Sequence, residues 1–164
     1  MKRSANKAVW WVLGIALALL VLIQLVPSPG IKTNPPITAE PTWDSPQTHL
    51  LAERACFDCH SNETAWPWYT NVAPVSWLIA RDVLGGREAL NFSTWGNGET
   101  EGGEESAETL FDGTMPLRSY LITHPDARLS ASEKQQLAQG LLASLGGKEG
   151  YSSSEVSRQN DEDD

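Results

Sequence analysis

The chain has 164 residues, enough for one modest domain, with 12 basic and 21 acidic side chains and a formal net charge of −9. This charge argues against DNA or RNA as a partner, because nucleic-acid binding relies on Lys and Arg to neutralise phosphates. Three of the basic residues precede the first apolar segment. The remainder of the chain is therefore still more acidic and favours partners with a basic docking face.

Residues 8–26 are the first predicted element, an apolar run without a charged side chain. As a helix it would rise about 28 Å, close to the hydrocarbon thickness of a bilayer, and Trp10 and Trp11 would lie at the interface. The basic flank at residues 1–7 predicts a single transmembrane helix in the cytoplasmic (inner) membrane, with the N-terminus inside and the rest in the periplasm or another extracytoplasmic space. A cleaved signal peptide is the alternative, although no small-x-small cleavage site follows the run.

Residues 27–46 hold six prolines, and such a composition stays extended and stiff. They predict a proline-rich linker, either a stalk or a strap that wraps the domain. The folded domain is then expected over residues 47–147. The polar segment 148–164 ends in four acidic residues and is predicted to be a disordered acidic tail.

The predicted domain is all-α, because it shows helical apolar spacing and no alternating run long enough for a strand. A helix is expected from about Gln47 into the cysteine segment, and a second helical spacing is broken near Gly85 and Gly86. Residues 96–106 contain four glycines and four glutamates. They predict a flexible acidic loop.

Two helices are expected in the last part of the domain. The first is short and ends at Gly113. The second begins with a capping box formed by Ser130 and Glu133 and stops at Gly146 and Gly147. Its apolar stripe consists of Leu137, Leu141 and Leu145.

The two cysteines of the chain, Cys56 and Cys59, are three apart, and His60 follows directly. A structural zinc site needs four ligands, and only His49 and His124 remain to complete one. A thioredoxin-type redox pair normally follows a strand, and the sequence predicts no strand. A disulfide across so short a loop would stabilise the fold little.

Covalent haem attachment is the fourth use of a Cys-x-x-Cys-His segment, and the pattern favours it. One turn of helix places the two sulfurs near the two vinyl groups at one edge of the porphyrin, and the next residue turns its imidazole under the iron. The segment therefore predicts one haem c, with thioethers to Cys56 and Cys59. His60 is the predicted proximal iron ligand through Nε2.

A second axial ligand is expected on the other face of the iron, where thioether and imidazole are the usual groups. Met115 is the predicted ligand, because Met1 is the initiator and the chain has no other methionine. Pro116 fixes the backbone next to it. Two alternatives remain, in which Met115 fills the core or His124 is the ligand.

Three further residues are predicted to line the haem pocket: Trp66, Trp77 and Arg81. Simple core packing explains the two tryptophans almost as well. Arg81 or Arg87 would suit a bidentate contact with a haem propionate. Either arginine would serve equally well as a surface charge.

The chain resembles a bacterial family, the haem-binding domain, which is a cytochrome c-like group. The resemblance runs from about Pro35 to Gly146 and is carried by the segments CFDCHSNET, WPWY, APVSWLIARDV, GREALNFSTW and GTMPLRSYLITHPDARLS. It implies a small cytochrome c-like helical fold with covalent haem at the Cys-x-x-Cys-His segment and Met115 opposite. The acidic insert at residues 96–106 and the tail look peculiar to this chain.

These observations predict a membrane-anchored monohaem c-type cytochrome that binds haem and transfers single electrons at the outer face of the cytoplasmic membrane. The sequence shows no acid–base pair for activating a substrate, so an electron carrier is expected and not an enzyme. Its expected partners are redox proteins with a basic face. Two alternatives stay open: a haem-based sensor or peroxidase-like protein with a labile sixth ligand, and a haem-bearing subunit of a respiratory complex.

Overall fold

The computed structural model describes residues 2–28, 32–96 and 102–146. Within these ranges the chain is helical and has no strand, which confirms the all-α prediction. An isolated parallel bridge between Ala39 and Thr94 is the one β pairing found there. The helices are α1 (Lys2–Ile23), α2 (Pro46–Ala55), α3 (Phe57–His60), α4 (Val75–Ala89), α5 (Gly103–Phe111), α6 (Tyr120–Thr123) and α7 (Ala131–Leu145), with two short 3-10 turns at Trp68–Asn71 and Pro125–Ala127.

The membrane anchor predicted over residues 8–26 is wrong. In the part of the chain that the structure describes, no helix has both the length and the apolar character needed to cross a membrane. α1 ends at Ile23 and a turn follows, so the uncharged part of this helix rises only about 24 Å. The hydrocarbon core of a bilayer is roughly 30 Å thick. The predicted single-pass location in the cytoplasmic membrane is wrong for the same reason.

The chain divides into two compact units. One consists of residues 1–33 and 65–84, and the other of residues 34–64 and 85–164. The second unit contains α2, α3, α5, α6 and α7 together with the last residues of α4.

In the first unit, the segment after α1 is hydrogen-bonded to the turn before α4. The Gln24 side chain donates to Ala73 O at 3.1 Å and accepts from Ala73 N at 2.9 Å. Trp77 Nε1 donates to Val26 O at 3.4 Å. The two bonds of Gln24 satisfy the backbone N–H and C=O of Ala73, and the bond of Trp77 satisfies the Val26 carbonyl beyond the end of α1.

In the second unit, α2, α5 and α7 pack around one hydrophobic core. The stripe predicted on α7 is buried, because residues four apart lie on the same face of a helix. Phe57 of α3 stacks on Phe92 with ring centroids 5.4 Å apart. The core consists of Leu51, Ala52, Phe57, Phe92, Ala107, Leu110, Leu137, Ala138, Leu141 and Leu145.

Residues 34–45 run as an extended strap along the second unit. Thr38 N donates to Ser93 O at 2.9 Å, and Trp95 N donates to Ala39 O at 3.2 Å. The sequence analysis allows the proline-rich linker to be either a stalk or a strap. Residues 34–45 form a strap, since backbone groups of this segment are hydrogen-bonded to the domain.

α4 is continuous through Gly85 and Gly86, where the sequence predicts a break. A glycine inside a helix costs about 1 kcal/mol relative to alanine. The pair therefore weakens the helix, and tertiary contacts at Gly86, described below, maintain it.

The acidic loop predicted over residues 96–106 is shorter than expected. α5 begins at Gly103, so the last residues of the predicted loop are helical. Residues 97–101 lie outside the described residues, as does the predicted tail at 148–164.

The capping box predicted at Ser130 and Glu133 is present at the start of α7. Glu133 N donates to Ser130 Oγ at 3.3 Å, and Ser130 N donates to Glu133 Oε2 at 2.8 Å. Glu133 also pairs with Arg54 of α2. The hydrogen bonds from the Ser130 backbone, Arg54 and the Ser130 hydroxyl lower the pKa of Glu133 to about 2.

We expect Glu133→Gln to flatten the acid side of the stability profile. A carboxyl group whose pKa falls on folding stabilises the folded state above its ordinary pKa of 4.5, and this stabilisation is lost as the pH falls towards 2. The unfolding temperature of the unsubstituted protein should therefore drop more steeply between pH 4.5 and pH 2 than that of the variant. Calorimetry at a series of pH values measures this difference, and parallel profiles would contradict the prediction.

Candidate functional site

The Cys-x-x-Cys-His segment lies where α2 ends and α3 begins. Cys56 is the C-cap of α2, with its N–H bonded to Ala52 O at 2.8 Å, and α3 is a single turn. Cys56 O accepts from Cys59 N at 3.1 Å and from His60 N at 2.9 Å. These bonds close one helical turn that carries both thiols and the imidazole, which is the arrangement that covalent haem attachment requires.

The imidazole of His60 is oriented by the end of α4. His60 Nδ1 lies 3.1 Å from Leu90 O, and a bond to this carbonyl requires the proton on Nδ1. Burial lowers the pKa of His60, against the opposing effect of the Leu90 and Gly86 carbonyls. A neutral ring protonated on Nδ1 leaves the Nε2 lone pair available for a metal.

The Cys56 thiol is poorly suited to redox exchange. Neither Cys56 nor Cys59 takes part in a disulfide. Burial, and then the nearby Cys59, raise the pKa of Cys56 to about 12. Dithiol exchange and nucleophilic attack need the thiolate, which a lowered pKa favours. The thioredoxin-type alternative is therefore disfavoured.

A cleft of about 450 Å³ is bordered by the Cys-x-x-Cys-His turn, α5, the loop after α5, and α7. Its volume lies within the roughly 300–1,000 Å³ of ligand and cofactor sites. Its walls bring together Cys56, His60 and Met115. The large apolar side chains of the lining are Leu90, Phe92, Trp95, Leu110 and Leu141, and the polar ones are Glu105, Ser106 and Thr109.

Met115 reaches the cleft on the loop that follows α5. Gly113 has a φ of 73°, a left-handed conformation that glycine adopts without penalty and that commonly ends a helix. Asp112 Oδ1 accepts from Thr114 N at 2.8 Å and from Thr114 Oγ1 at 2.7 Å. Met115 N donates to Thr109 O at 3.0 Å. The loop is therefore held by hydrogen bonds on both sides of Gly113, and Met115 is fixed at the wall of the cleft.

His124, the predicted rival to Met115, does not belong to the lining of this cleft. Its ring stacks on Tyr120 with centroids 4.0 Å apart. Its Nε2 lies 3.8 Å from Asp58 Oδ2, which also accepts from Tyr120 OH at 2.8 Å. The placement favours Met115 over His124 as the second axial ligand.

The three predicted pocket residues Trp66, Trp77 and Arg81 belong to the first unit. The residues that line the cleft all belong to the second unit. A contact of these three residues with a cofactor therefore stays a prediction.

The lining of the cleft suits a haem in chemistry. Its walls are mostly apolar, like a macrocycle, and an imidazole and a thioether are groups that commonly hold haem iron. Comparison with protein families agrees, since the family described as the haem-binding domain matches residues 18–143. The chain belongs to this family. No curated protein and no solved structure matches it.

This haem-binding domain therefore binds haem, as the sequence resemblance implies. Its cleft also uses residues that the sequence pattern did not identify. Leu110 and Leu141 are apolar helix positions and were recognisable only as core. Leu90 orients His60 through its backbone carbonyl. A side-chain pattern cannot predict such a contact, because any residue supplies a backbone carbonyl.

At Gly86, α4 closely approaches the Cys-x-x-Cys-His turn of residues 56–60. We call it the attachment turn, after the haem attachment that its pattern predicts. A Cβ at position 86 would lie 2.5 Å from Cys59 O and 3.0 Å from Cys59 C. No side chain fits at such a distance, so glycine is what allows the helix to reach the turn. The residue predicted to break α4 is the one that brings α4 against the attachment turn.

Proposed function

We propose that this haem-binding domain is a monohaem c-type cytochrome that passes single electrons between protein partners. The observation that carries the proposal is that Cys56, His60 and Met115 line one cleft. They come from two segments that are far apart in the sequence. A c-type centre with histidine and methionine ligation needs these groups on one cavity. It also needs the second thiol, Cys59, which lies on the same turn as Cys56 but does not line the cleft.

Each group has a defined part in this proposal. Cys56 and Cys59 would hold the macrocycle as thioethers, His60 would bind the iron through Nε2, and Met115 would bind it through sulfur. Bound haem iron supplies a one-electron couple. The Leu90 carbonyl keeps the proton of His60 on Nδ1, and the large apolar side chains of the lining would pack against the macrocycle.

The acidic character of α5 supports partners with a basic docking face. Glu105 lines the cleft and is exposed, and Glu104 and Glu108 lie on the same helix. Charges of one sign beside a cofactor steer oppositely charged partners towards it. We propose an electron carrier that docks through this region and not an enzyme with a substrate of its own.

An alkaline pyridine spectrum of the denatured protein tests the proposal. The protein is produced in a host with working cytochrome c maturation, so that attachment is possible. The expected result is the spectrum of haem with both vinyl groups saturated. A colourless protein, or haem that acid–acetone extracts, would refute covalent attachment.

Met115→Ala is expected to abolish the far-red sulfur-to-iron band of the oxidised protein. The reduced variant should also bind carbon monoxide readily, because the sixth position loses its ligand, whereas the unsubstituted protein should resist carbon monoxide. Visible and near-infrared spectra with carbon monoxide titration measure both effects.

Leu117→Ala is the matched control, since Leu117 is half-buried in the same loop but does not line the cleft. This variant should keep the far-red band. A band that survives in Met115→Ala would exclude Met115 as the ligand. Ready binding of carbon monoxide by the unsubstituted protein would favour the sensor or peroxidase-like alternative.

A further inference from the structure

We propose that Arg87 is a positioning residue for the axial histidine, an inference that rests on the proposed c-type haem. Arg87 is on the last turn of α4, which also supplies Gly86 against the attachment turn. The sequence suggests a haem propionate or solvent as its partner. In the structure its partners include Ser61, Thr64 and Asn34 of the protein.

The guanidinium of Arg87 joins the segment after His60 to the strap. Arg87 Nε donates to Ser61 O at 2.8 Å. Arg87 Nη2 donates to Thr64 Oγ1 at 2.9 Å and to Asn34 Oδ1 at 3.1 Å. A planar fork with fixed donor directions makes such a set of bonds, and a lysine ammonium does not reproduce it.

These bonds act on His60 through its neighbour. Ser61 is completely buried, and its hydroxyl donates to Phe57 O at 2.8 Å. His60 O accepts from Phe92 N at 2.8 Å. Arg87 therefore fixes the carbonyl of Ser61, the residue after His60. The N–H of Phe92 fixes the carbonyl of His60 itself.

The same helix end fixes the imidazole itself. Leu90 follows α4 directly, and its carbonyl lies 3.1 Å from His60 Nδ1. Arg87 and Leu90 thus hold the backbone and the ring of His60 from one short piece of chain. Because groups that orient a metal ligand control its bond to the metal, the loss of Arg87 should alter the His60–iron bond and not only the stability of the fold.

The test uses Arg87→Gln and Arg87→Lys in the full chain carrying Met115→Ala, where the reduced iron keeps only the proximal ligand. Resonance Raman spectroscopy then reports the iron–histidine stretching band directly. We expect the band to shift or split in Arg87→Gln and to shift by a smaller but measurable amount in Arg87→Lys, because a lysine ammonium restores the charge but not the full set of bonds. Covalent haem per chain and the unfolding temperature are measured in parallel.

Arg128→Gln is the control, since Arg128 is an exposed arginine that donates to Leu121 O at 3.2 Å. It should leave the band in place. If haem-loaded Arg87→Gln shows an unchanged iron–histidine band and only a lower unfolding temperature, Arg87 has only a structural role and the inference is overturned. If Arg87→Gln does not fold, an unchanged band in Arg87→Lys overturns it instead. Failure of the proposed function is distinct, because the unsubstituted protein would then lack a c-type pyridine spectrum.

Discussion

The double variant Cys56→Ala, Cys59→Ala is expected to lose all covalently bound haem. Both sulfurs lie on one closed turn, and the described chain contains no other cysteine that could replace them. His60 and Met115 remain on the cleft, so the variant can retain haem only by coordination. Acid–acetone extraction followed by a pyridine spectrum of the residual protein measures the loss.

The single variants are the controls for this prediction. Cys56→Ala and Cys59→Ala should each keep one thioether, which leaves one vinyl group unsaturated and moves the pyridine band to longer wavelength. Haem that resists extraction in the double variant would show that the thiols do not attach it. The two cysteines would then need another explanation, and for Cys56 this would be packing, since it lies partly buried against the hydrophobic core.

The positions at which helices α2 and α7 of the second unit begin are determined by capping residues next to each helix. Ser45 caps α2 and Pro46 occupies its first turn. Ser130 and Glu133 form the capping box of α7. The attachment turn is equally local, because five consecutive residues determine which groups it presents. These features are therefore predictable from the sequence.

Met115 is predicted as the ligand because no other internal methionine is available, and in the structure it lines the cleft. The turn formed by Asp112, Gly113 and Thr114 is encoded locally, and it directs the chain back from α5 to the cleft. The sequence indicated the end of that helix at Gly113. It did not indicate that α5 and α7 would border the same cleft as the attachment turn.

The features that the sequence did not predict depend on contacts between distant segments. His60 meets the Leu90 carbonyl, and Arg87 meets Asn34 of the strap. Each of these partners is an ordinary residue in its own segment, with nothing in its neighbours to mark the contact. Only the packing of distant segments brings them together. Local sequence patterns therefore cannot predict which residues orient His60.

The error at α1 has a different origin. Hydropathy identifies an apolar run but does not state where its helix ends. The run at residues 8–26 extends beyond the helix, which stops at Ile23. Gln24 then uses its side chain to bond the backbone of Ala73, a role in the folded unit that a hydropathy profile cannot show.

Gly86→Ala is expected to destabilise the protein and reduce haem attachment. In a free helix this substitution would stabilise by about 1 kcal/mol. Here the added Cβ would lie 2.5 Å from Cys59 O, a backbone atom of the attachment turn. Relief requires α4 or the turn to move, and such overpacking typically costs about 1–3 kcal/mol. Chemical unfolding measures the stability, and the pyridine spectrum gives haem per chain.

Gly85→Ala is a closely matched control, since it makes the same change one residue earlier in α4. A Cβ at Gly85 would have no atom within 4 Å, so this variant should gain stability from helix propensity, by up to about 1 kcal/mol, and bind haem normally. Opposite signs at two adjacent glycines would show that the close approach of α4 to Cys59, and not helix propensity, requires glycine at position 86. If both variants gain stability and carry full haem, the turn tolerates displacement and α4 does not fix its position.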